Sequence, residues 1–279
     1  MAIVPTPEMP QPAGETVHKT IIFDHVSIAF EDNVVLDDVS FELTRGETKM
    51  ILGVLGSGKS TILKMAIGLV RPDRGDIYLL GHHINAMQED ELFELRRQVG
   101  MVFQESALFD SLTVRENVGY RLIEEGVDPK EIDRRVREAL RFVELEHTIA
   151  QFPSELSGGM RRRVAIARAI ITDPEVLLYD SPTAGLDPVT STTIIELIVK
   201  QRDVYHTSAL MVTHRLPDTF TMASNYFDEK LGKMVPIPQG SPIHSNSSFM
   251  ILRDAKVIFD GSVYDLVNSP DEYIREYIA

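Results

Sequence analysis

A glycine-rich segment near the start of the chain carries the residues with the clearest chemistry. It fits the pattern G-x-x-x-x-G-K-[ST], in which amides surround an anion, a lysine reaches phosphate oxygens and a hydroxyl binds Mg²⁺. Residues 49–52 before it have the apolar character of a buried strand, and good helix formers follow it. Strand, loop and helix in this order predict a loop that holds a nucleoside triphosphate. Its nine residues are Gly53, Val54, Leu55, Gly56, Ser57, Gly58, Lys59, Ser60 and Thr61.

An acid follows a second apolar segment. Residues 176–179 are apolar enough for a buried strand, and Asp180 ends them. An aspartate at the carboxyl end of such a strand can bind Mg²⁺ while a glycine loop holds the phosphates. An acid at a strand end is common by itself, but together with residues 53–61 it indicates a Mg²⁺–nucleotide site with Ser60 and Asp180 as ligands.

A Ser-Gly-Gly corner at residues 157–159 precedes a basic helix. A hydroxyl, free amides and the positive end of a helix dipole at one place make a second anion site. The plainer interpretation is that Ser157 only caps the helix. The run of arginines at 161–163 indicates either a solvated face or a contact with acidic groups of a partner.

In order and spacing, these motifs resemble those of the ATPase subunits of ABC transporters. Residues 156–160 read Leu-Ser-Gly-Gly-Met, close to the family signature LSGGQ, and the resemblance covers about 20–224 and 250–267. It implies that Phe30 stacks on adenine and that His214 reads the γ-phosphate. It also implies that Gln104 binds Mg²⁺ and contacts a membrane partner, and that Asp187 belongs to the D-loop beside the nucleotide.

The resemblance implies a role for the corner as well. Ser157, Gly158 and Gly159 would bind the γ-phosphate of a nucleotide held by a second ATPase subunit, so that two ATP molecules join two subunits head to tail. That second subunit is a copy of this chain or, alternatively, a different chain in a heterodimer. An integral membrane permease is the implied partner that ATP drives.

One catalytic position departs from the family pattern. The resemblance places catalytic groups at Gln104, Ser181 and His214, and the family normally carries a glutamate where this chain has Ser181. Because a hydroxyl is a poor proton acceptor near neutral pH, we expect hydrolysis to be slower by about 10²–10⁴. Either the ATP-joined pair is long-lived or a partner subunit supplies a competent site; alternatively, the serine is an introduced substitution in an active enzyme. Glu105 is a candidate replacement that the sequence does not place.

The order of apolar segments predicts an α/β fold. Strands that alternate with helices around a phosphate loop indicate a mainly parallel core sheet. The resemblance adds an antiparallel β-subdomain and an inserted α-helical subdomain. We expect a disordered tail at 1–18, an ATPase domain at 19–267 and a helical tail at 268–279. Within the domain we expect the helical subdomain at about 105–160 and a loop insertion at about 225–249.

Composition limits the setting. The chain has 279 residues, no cysteine and a net charge of −14, which excludes disulfides and argues against nucleic acid as a partner. No apolar run reaches the length of a membrane span, and the start lacks a basic segment followed by an apolar one. We therefore expect a cytoplasmic protein that is peripheral to the inner face of the membrane through its partner.

Weaker marks bear on the transported substrate. Met160 in the signature and the segments 100–114, 116–118 and 120–122 resemble the ATPases of Mla-type systems, which move phospholipids between bacterial membranes. Importers of amino acids or other polar solutes are the main alternative. An ABC-type ATPase without a membrane partner is a third class, and an ATP-responsive module that scarcely hydrolyses is another.

Overall fold

The computed structural model describes residues 18–238 and 245–279. The tail predicted over 1–18 lies outside this part except for its last residue, and so do residues 239–244 of the predicted loop. The described strands are β1 (Lys19–Phe30), β2 (Asn33–Thr44), β3 (Thr48–Gly53), β4 (Arg74–Leu79), β5 (His82–His83), β6 (Val99–Val102), β7 (Val176–Asp180), β8 (Ser208–Val212), β9 (Asn225–Asp228), β10 (Lys233–Pro236), β11 (Ser247–Arg253) and β12 (Lys256–Gly261). The α-helices are α1 (Lys59–Ala66), α2 (Glu89–Leu95), α3 (Val114–Glu124), α4 (Pro129–Phe142), α5 (Gly158–Ile170), α6 (Pro188–Val204), α7 (Leu216–Ser224), α8 (Val263–Val267) and α9 (Glu272–Ile278).

The main sheet has the strand order β12–β11–β3–β8–β7–β6. Five of its strands are parallel, and β12 pairs antiparallel with β11 at one edge. A four-stranded antiparallel sheet, ordered β2–β1–β4–β5, packs on one face through α1. The predicted α/β architecture, a mainly parallel core with an antiparallel sheet and helices, is confirmed.

The core strands are apolar throughout because both faces of the main sheet are covered. In β3, Met50 and Leu52 pack among the helices α3 to α6, whereas Ile51 packs toward α1 and the antiparallel sheet. This alternation follows the two-residue period of a strand. Covering both faces leaves the strand ends as the places where polar groups meet solvent.

Helices α3, α4 and α5 form the helical part of the molecule. Thr113 caps α3 in a capping box with Glu116. Asp128 caps α4 ahead of Pro129, an Asp-Pro pair that predicts a helix start from the sequence. The apolar positions of α4 lie buried against the core: Ile132, Val136, Ala139 and Leu140. The spacing of apolar residues predicts helix from 113 to about 146, and the structure has two helices there, separated at Gly126, whose φ is +70°.

Three local expectations were wrong. The loop predicted over 225–249 contains an antiparallel hairpin, β9–β10, whose Met234 amide donates to Glu196 Oε1 of α6 at 3.0 Å. The apolar residues after that loop predict one strand over 249–259, whereas the structure has the pair β11–β12, joined at Asp254 and Ala255. Both joining residues adopt positive φ, 49° and 63°, without the Gly or Asn that usually marks such a turn. Helix α7 was not predicted.

Candidate nucleotide site

Four loops meet at the carboxyl edge of the main sheet. They follow β3, β8, β7 and β6, which are neighbours in that order. Ligands of parallel α/β sheets bind at this edge because loops from several strands converge there. The sheet thereby places the phosphate loop next to His214, Asp180 and Gln104, residues that are up to 161 positions apart in the sequence.

The phosphate loop runs from the end of β3 into α1. Gly58 is the N-cap residue of α1 and has a φ of +92°. A Cβ there would lie 2.9 Å from the Val35 carbonyl oxygen. Glycine is therefore required both for the backbone angle and for the close approach of β2. The first amides of α1 have no partner within the helix, and they are available to phosphate oxygens.

Lys59 lies across the phosphate loop. Its ammonium donates to the carbonyl oxygens of Gly53 (2.8 Å) and Val54 (2.7 Å) and to Ser57 Oγ (3.2 Å). Burial lowers the pKa of Lys59, and the nearby Asp180 carboxylate opposes that shift. The cation is therefore held inside the loop, where it can exchange carbonyl contacts for phosphate oxygens.

Three oxygen-bearing side chains line the same cleft and fit a magnesium ion. They are the Ser60 hydroxyl, the Gln104 amide and the half-buried Asp180 carboxylate. Hard oxygen donors with a single carboxylate suit Mg²⁺, which usually takes its remaining ligands from water and phosphate. Ser181 follows directly, with 7% of its surface exposed, φ +47° and its amide donating to the Val212 carbonyl at 2.8 Å.

The cleft has a volume of about 300 Å³ and brings together most of the predicted residues. Phe30, at the end of β1, is 48% exposed and forms one wall, and His214 is exposed at the other side. The predicted residues that line the cleft are Phe30, Leu55, Gly56, Ser57, Gly58, Lys59, Ser60, Thr61, Gln104, Asp180, Ser181 and His214. Gly53 and Val54 begin the loop just outside the lining.

The Ser-Gly-Gly corner lies outside that cleft. Ser157 caps α5 by accepting the Met160 amide at 3.2 Å, and it is exposed together with Gly158. A Cβ on Gly159 would lie 2.4 Å from Cγ2 of Thr190, in the first turn of α6. Asp187 also belongs to this surface, where its carboxylate caps α6 by accepting the Val189 and Thr190 amides, each at 3.0 Å. The Thr190 hydroxyl also donates to this carboxylate. That hydrogen bond, followed by those from the amides, lowers the pKa of Asp187.

Comparison with known families identifies this arrangement. Residues 36–184, which span the phosphate loop, the Gln104 loop and the Ser-Gly-Gly corner, match the model of the ABC transporter family. A relative described below is 43% identical over 89% of the chain. The chain belongs to the ABC transporter ATPase family.

Several relatives and structures resemble this ABC ATPase. Protein TRIGALACTOSYLDIACYLGLYCEROL 3 of Arabidopsis thaliana is 43% identical, and the match covers 89% of this chain and 70% of that protein. The methionine import ATP-binding protein MetN of Bifidobacterium longum is 33% identical, with 93% of this chain and 61% of that protein covered. The chain therefore spans less than two thirds of that importer's length.

Two solved structures share the fold. The dimeric ATP-binding cassette MJ0796 in a post-hydrolysis state with ADP and Pi has a TM-score of 0.72 and 29% identity, covering 87% of this chain and 98% of its own. The cbiO1 protein of Clostridium perfringens, part of the transporter complex cbiONQ, has a TM-score of 0.75 and 26% identity, with 93% and 94% covered.

The sequence did not predict which groups the arginines of this ABC ATPase bind. Arg161, Arg162 and Arg163 all donate to backbone carbonyls of their own chain, and Arg162 is buried, so the basic run is not simply a solvated face. Contact of the run with a partner stays a prediction. Arg215, directly after His214, donates to the carbonyls of Thr183 and Leu186 at 3.3 and 3.2 Å. It ties the histidine loop to the D-loop. Only its place beside His214 would have marked it.

The C-terminal helix α9 also contacts the phosphate loop. The Gly53 amide donates to the Tyr277 hydroxyl at 3.1 Å, and Tyr273 stacks near Tyr277 with ring centroids 6.0 Å apart. Across the described ranges, no helix combines the length and apolar character needed to cross a bilayer.

Proposed function

We propose that this chain is the nucleotide-binding subunit of a membrane transporter and that two ATPase subunits close around ATP. The cleft beside Lys59 offers loop amides, an ammonium and Mg²⁺ ligands to one side of a triphosphate. The exposed corner at Ser157, Gly158 and Gly159 offers a hydroxyl and helix amides. That these two half-sites occupy separate surfaces of one chain is the observation that carries the proposal, since each is then completed by the other subunit.

Each residue of the cleft has a distinct role in this proposal. Lys59 and the loop amides bind phosphate oxygens, and Phe30 stacks on the base. Ser60, Gln104 and Asp180 hold Mg²⁺, which neutralises charge on the phosphates when bound. His214 contacts the γ-phosphate, and Asp187 acts at the subunit interface beside it.

Ser181 sets the rate in this proposal. It is buried at the place where the family carries a glutamate, and its hydroxyl is a weak base. We infer slow hydrolysis and a long-lived closed pair, or a heterodimer in which the other subunit supplies the faster site. The homodimer is the simpler assembly, and sedimentation with ATP separates the two.

A membrane permease is the proposed partner, reached from the cytoplasmic side. Exposed aromatic side chains lie close in sequence to Gln104 and support a docking surface there. Phe103 and Phe109 are 40% and 45% exposed, and the Phe109 ring lies 4.8 Å from that of Tyr120. Such a patch on an acidic protein suits a partner with apolar anchors.

For the cargo we propose a phospholipid or related lipid, as in Mla-type systems. Met160 and the segments 100–114, 116–118 and 120–122 support this, and so does the similarity to a plant protein whose name contains a galactolipid. Import of a polar solute such as an amino acid is the second candidate, because the methionine import proteins are also similar over most of this chain. A regulatory module without transport is a third, favoured by Ser181 alone.

The deciding experiment is affinity capture of the full chain from gently solubilised native membranes. We expect an integral membrane protein to co-purify and bound lipid to appear in mass spectra of the complex. Reconstituted into phospholipid vesicles, that complex should show ATPase activity that depends on the lipid and not on methionine or other amino acids. Stimulation by an amino acid would favour the second candidate, and capture of no membrane protein would contradict both.

A further inference from the structure

The loop that follows Gln104 has an unusual backbone. Ser106 and Ala107 both have positive φ, 64° and 47°, although neither is glycine. Consecutive left-handed residues of this kind are strained and persist only where the surroundings hold them. Ser106 is also buried, so the loop is fixed by contacts with the rest of the protein.

Arg168 supplies one of those contacts from α5. Its guanidinium donates to the carbonyl oxygen of Ser106 at 2.8 Å and to that of Ala107. Burial lowers the pKa of Arg168, and burying a cation is costly. The two carbonyls that it binds belong to the two strained residues, so this guanidinium holds the strained turn directly.

Arg162, one and a half turns earlier on α5, makes a second set of contacts. It donates to the carbonyl oxygen of Gln104 and, at 3.2 Å, to that of Ser181. A single planar guanidinium thus joins α5 to two loops of the nucleotide cleft, a fork that lysine cannot reproduce.

Burying the charge of Arg162 destabilises the fold. Only 5% of the residue's surface is exposed, its hydrogen bonds go to the neutral carbonyls of Gln104 and Ser181, and its Nε has no hydrogen-bond partner among residues 18–238 and 245–279. Burial lowers the pKa of Arg162, and the Glu105 and Asp180 carboxylates oppose this from a longer distance. An uncharged side chain of similar size would fill the space at less cost. A charge that is buried in spite of this free-energy cost indicates a role for Arg162 in the site.

We propose that Arg162 and Arg168 are positioning residues for ATP hydrolysis, which hold the loop 104–107 and the Ser181 carbonyl in place from α5. The inference rests on the proposed function of the cleft. In this arrangement, Gln104 faces Mg²⁺ only while its backbone is tied to α5, the helix that also begins at the Ser157 corner. Arg162 has the larger part because it contacts both loops.

The test compares four variants of the full-length chain: Arg162→Gln, Arg162→Lys, Arg168→Gln and, as the matched control, Arg163→Gln. Arg163 neighbours Arg162 on α5 but donates to the Val143 carbonyl at 3.2 Å, in the helical part of the molecule. For each variant we would measure the melting temperature, Mg²⁺-free ATP affinity, single-turnover hydrolysis and the Mg²⁺ concentration for half-maximal rate.

We expect Arg162→Gln to lower the single-turnover rate about tenfold and to raise the half-saturating Mg²⁺ about fivefold, with Mg²⁺-free ATP affinity within about twofold of the parent. Arg168→Gln should show smaller changes in the same direction, and Arg162→Lys an intermediate one because lysine keeps the charge but lacks the planar fork that spans the two carbonyls. Arg163→Gln should leave the Mg²⁺ requirement unchanged.

Three outcomes separate the possibilities. If the Arg162 and Arg163 variants change together, in proportion to their melting temperatures, the arginines are structural and the inference is wrong. If Arg162→Gln does not fold, an Arg162→Lys variant with a parental Mg²⁺ requirement would overturn it equally. If the parent chain binds no ATP, the proposed function fails and the inference fails with it.

Discussion

The phosphate loop and the Ser157–Gly159 corner both contain glycines at the start of a helix, but they differ in the charged and polar side chains beside them. The loop has its own cation, Lys59, and an acid and a hydroxyl beside it in one cleft. At the corner, the neighbouring carboxylate of Asp187 is already occupied as the cap of α6. In the proposed function, the loop therefore binds the nucleotide by itself, whereas the corner adds amides and a hydroxyl to a nucleotide bound by the other subunit.

The two regions also need glycine for different reasons. Gly58 needs its positive φ, because the backbone must turn there to face a phosphate. Gly159 has ordinary helical geometry and is small because α6 passes close by at Thr190. A side chain at 58 would deform the binding loop, while one at 159 would displace α5 from α6. Nucleotide affinity and subunit pairing should therefore be separable by mutation.

The largest effect should come from restoring a base within the loop half of the site. Replacing Ser181 by glutamate supplies a carboxylate at the end of β7, and we expect single-turnover hydrolysis to rise about 10²–10⁴-fold. Ser181→Gln, which has the same length without the charge, is the control and should stay at the parental rate. Equal rates for the parent and Ser181→Glu would show that the serine does not limit hydrolysis.

The next effect concerns the cation of the loop. Lys59→Ala removes the ammonium aimed at phosphate oxygens, and we expect ATP affinity by calorimetry to fall about 100-fold, since hydrogen bonds to charged groups are strong. Lys64→Ala, an exposed position on the same helix, is the matched control and should bind ATP normally. Unchanged affinity and unchanged ATP-dependent pairing in Lys59→Ala would contradict the assignment of the cleft.

Local sequence signals were sufficient for the loop half of the site. Residues 49–61 carry their own strand, turn and helix chemistry, so the pattern fixes the local geometry. The fold class followed from the alternation of apolar segments. The hairpin β9–β10 and the helix α7 were missed because proline and polar residues interrupt their patterns, and their order comes from packing on α6 and the sheet.

Tertiary contacts decided what the sequence could not. An arginine that binds solvent and one that binds a buried carbonyl look alike in a basic run, so the role of Arg162 depended on where the Gln104 loop passes. The cap at Asp187 was similarly hidden. From the sequence, Asp187 is assigned only to the D-loop, and the position of α6 shows that it is also the cap of that helix.

A third prediction separates the two halves of the site. Gly159→Ala places a methyl group where Thr190 Cγ2 is 2.4 Å away, so α5 must shift. We expect ATP-dependent pairing, measured by sedimentation velocity, to weaken about 30-fold while ATP affinity of the single chain stays within about twofold.

A second substitution, on the neighbouring helix α6, should restore ATP-dependent pairing to Gly159→Ala. Thr190→Ser removes Cγ2 but keeps the hydroxyl that donates to Asp187, so the double variant should recover pairing. If the double variant pairs as poorly as Gly159→Ala, the defect has another cause than this contact. A loss of ATP affinity in the single chain would mean that the halves are not separable.

The smallest effect should lie at the edge of the loop half. Phe30→Ala removes an exposed ring from the cleft wall, and we expect ATP affinity to fall about fivefold to tenfold because base–aromatic stacking is lost. Inorganic triphosphate has no base, so its affinity should not change, and Phe30→Tyr should keep most of the ATP affinity. Val34→Ala, an exposed apolar position just after the β1–β2 turn, controls for a general change in the structure around Phe30. If ATP and triphosphate weaken equally, Phe30 supports the loop rather than the base, and the recognition of adenine must be sought elsewhere in the cleft.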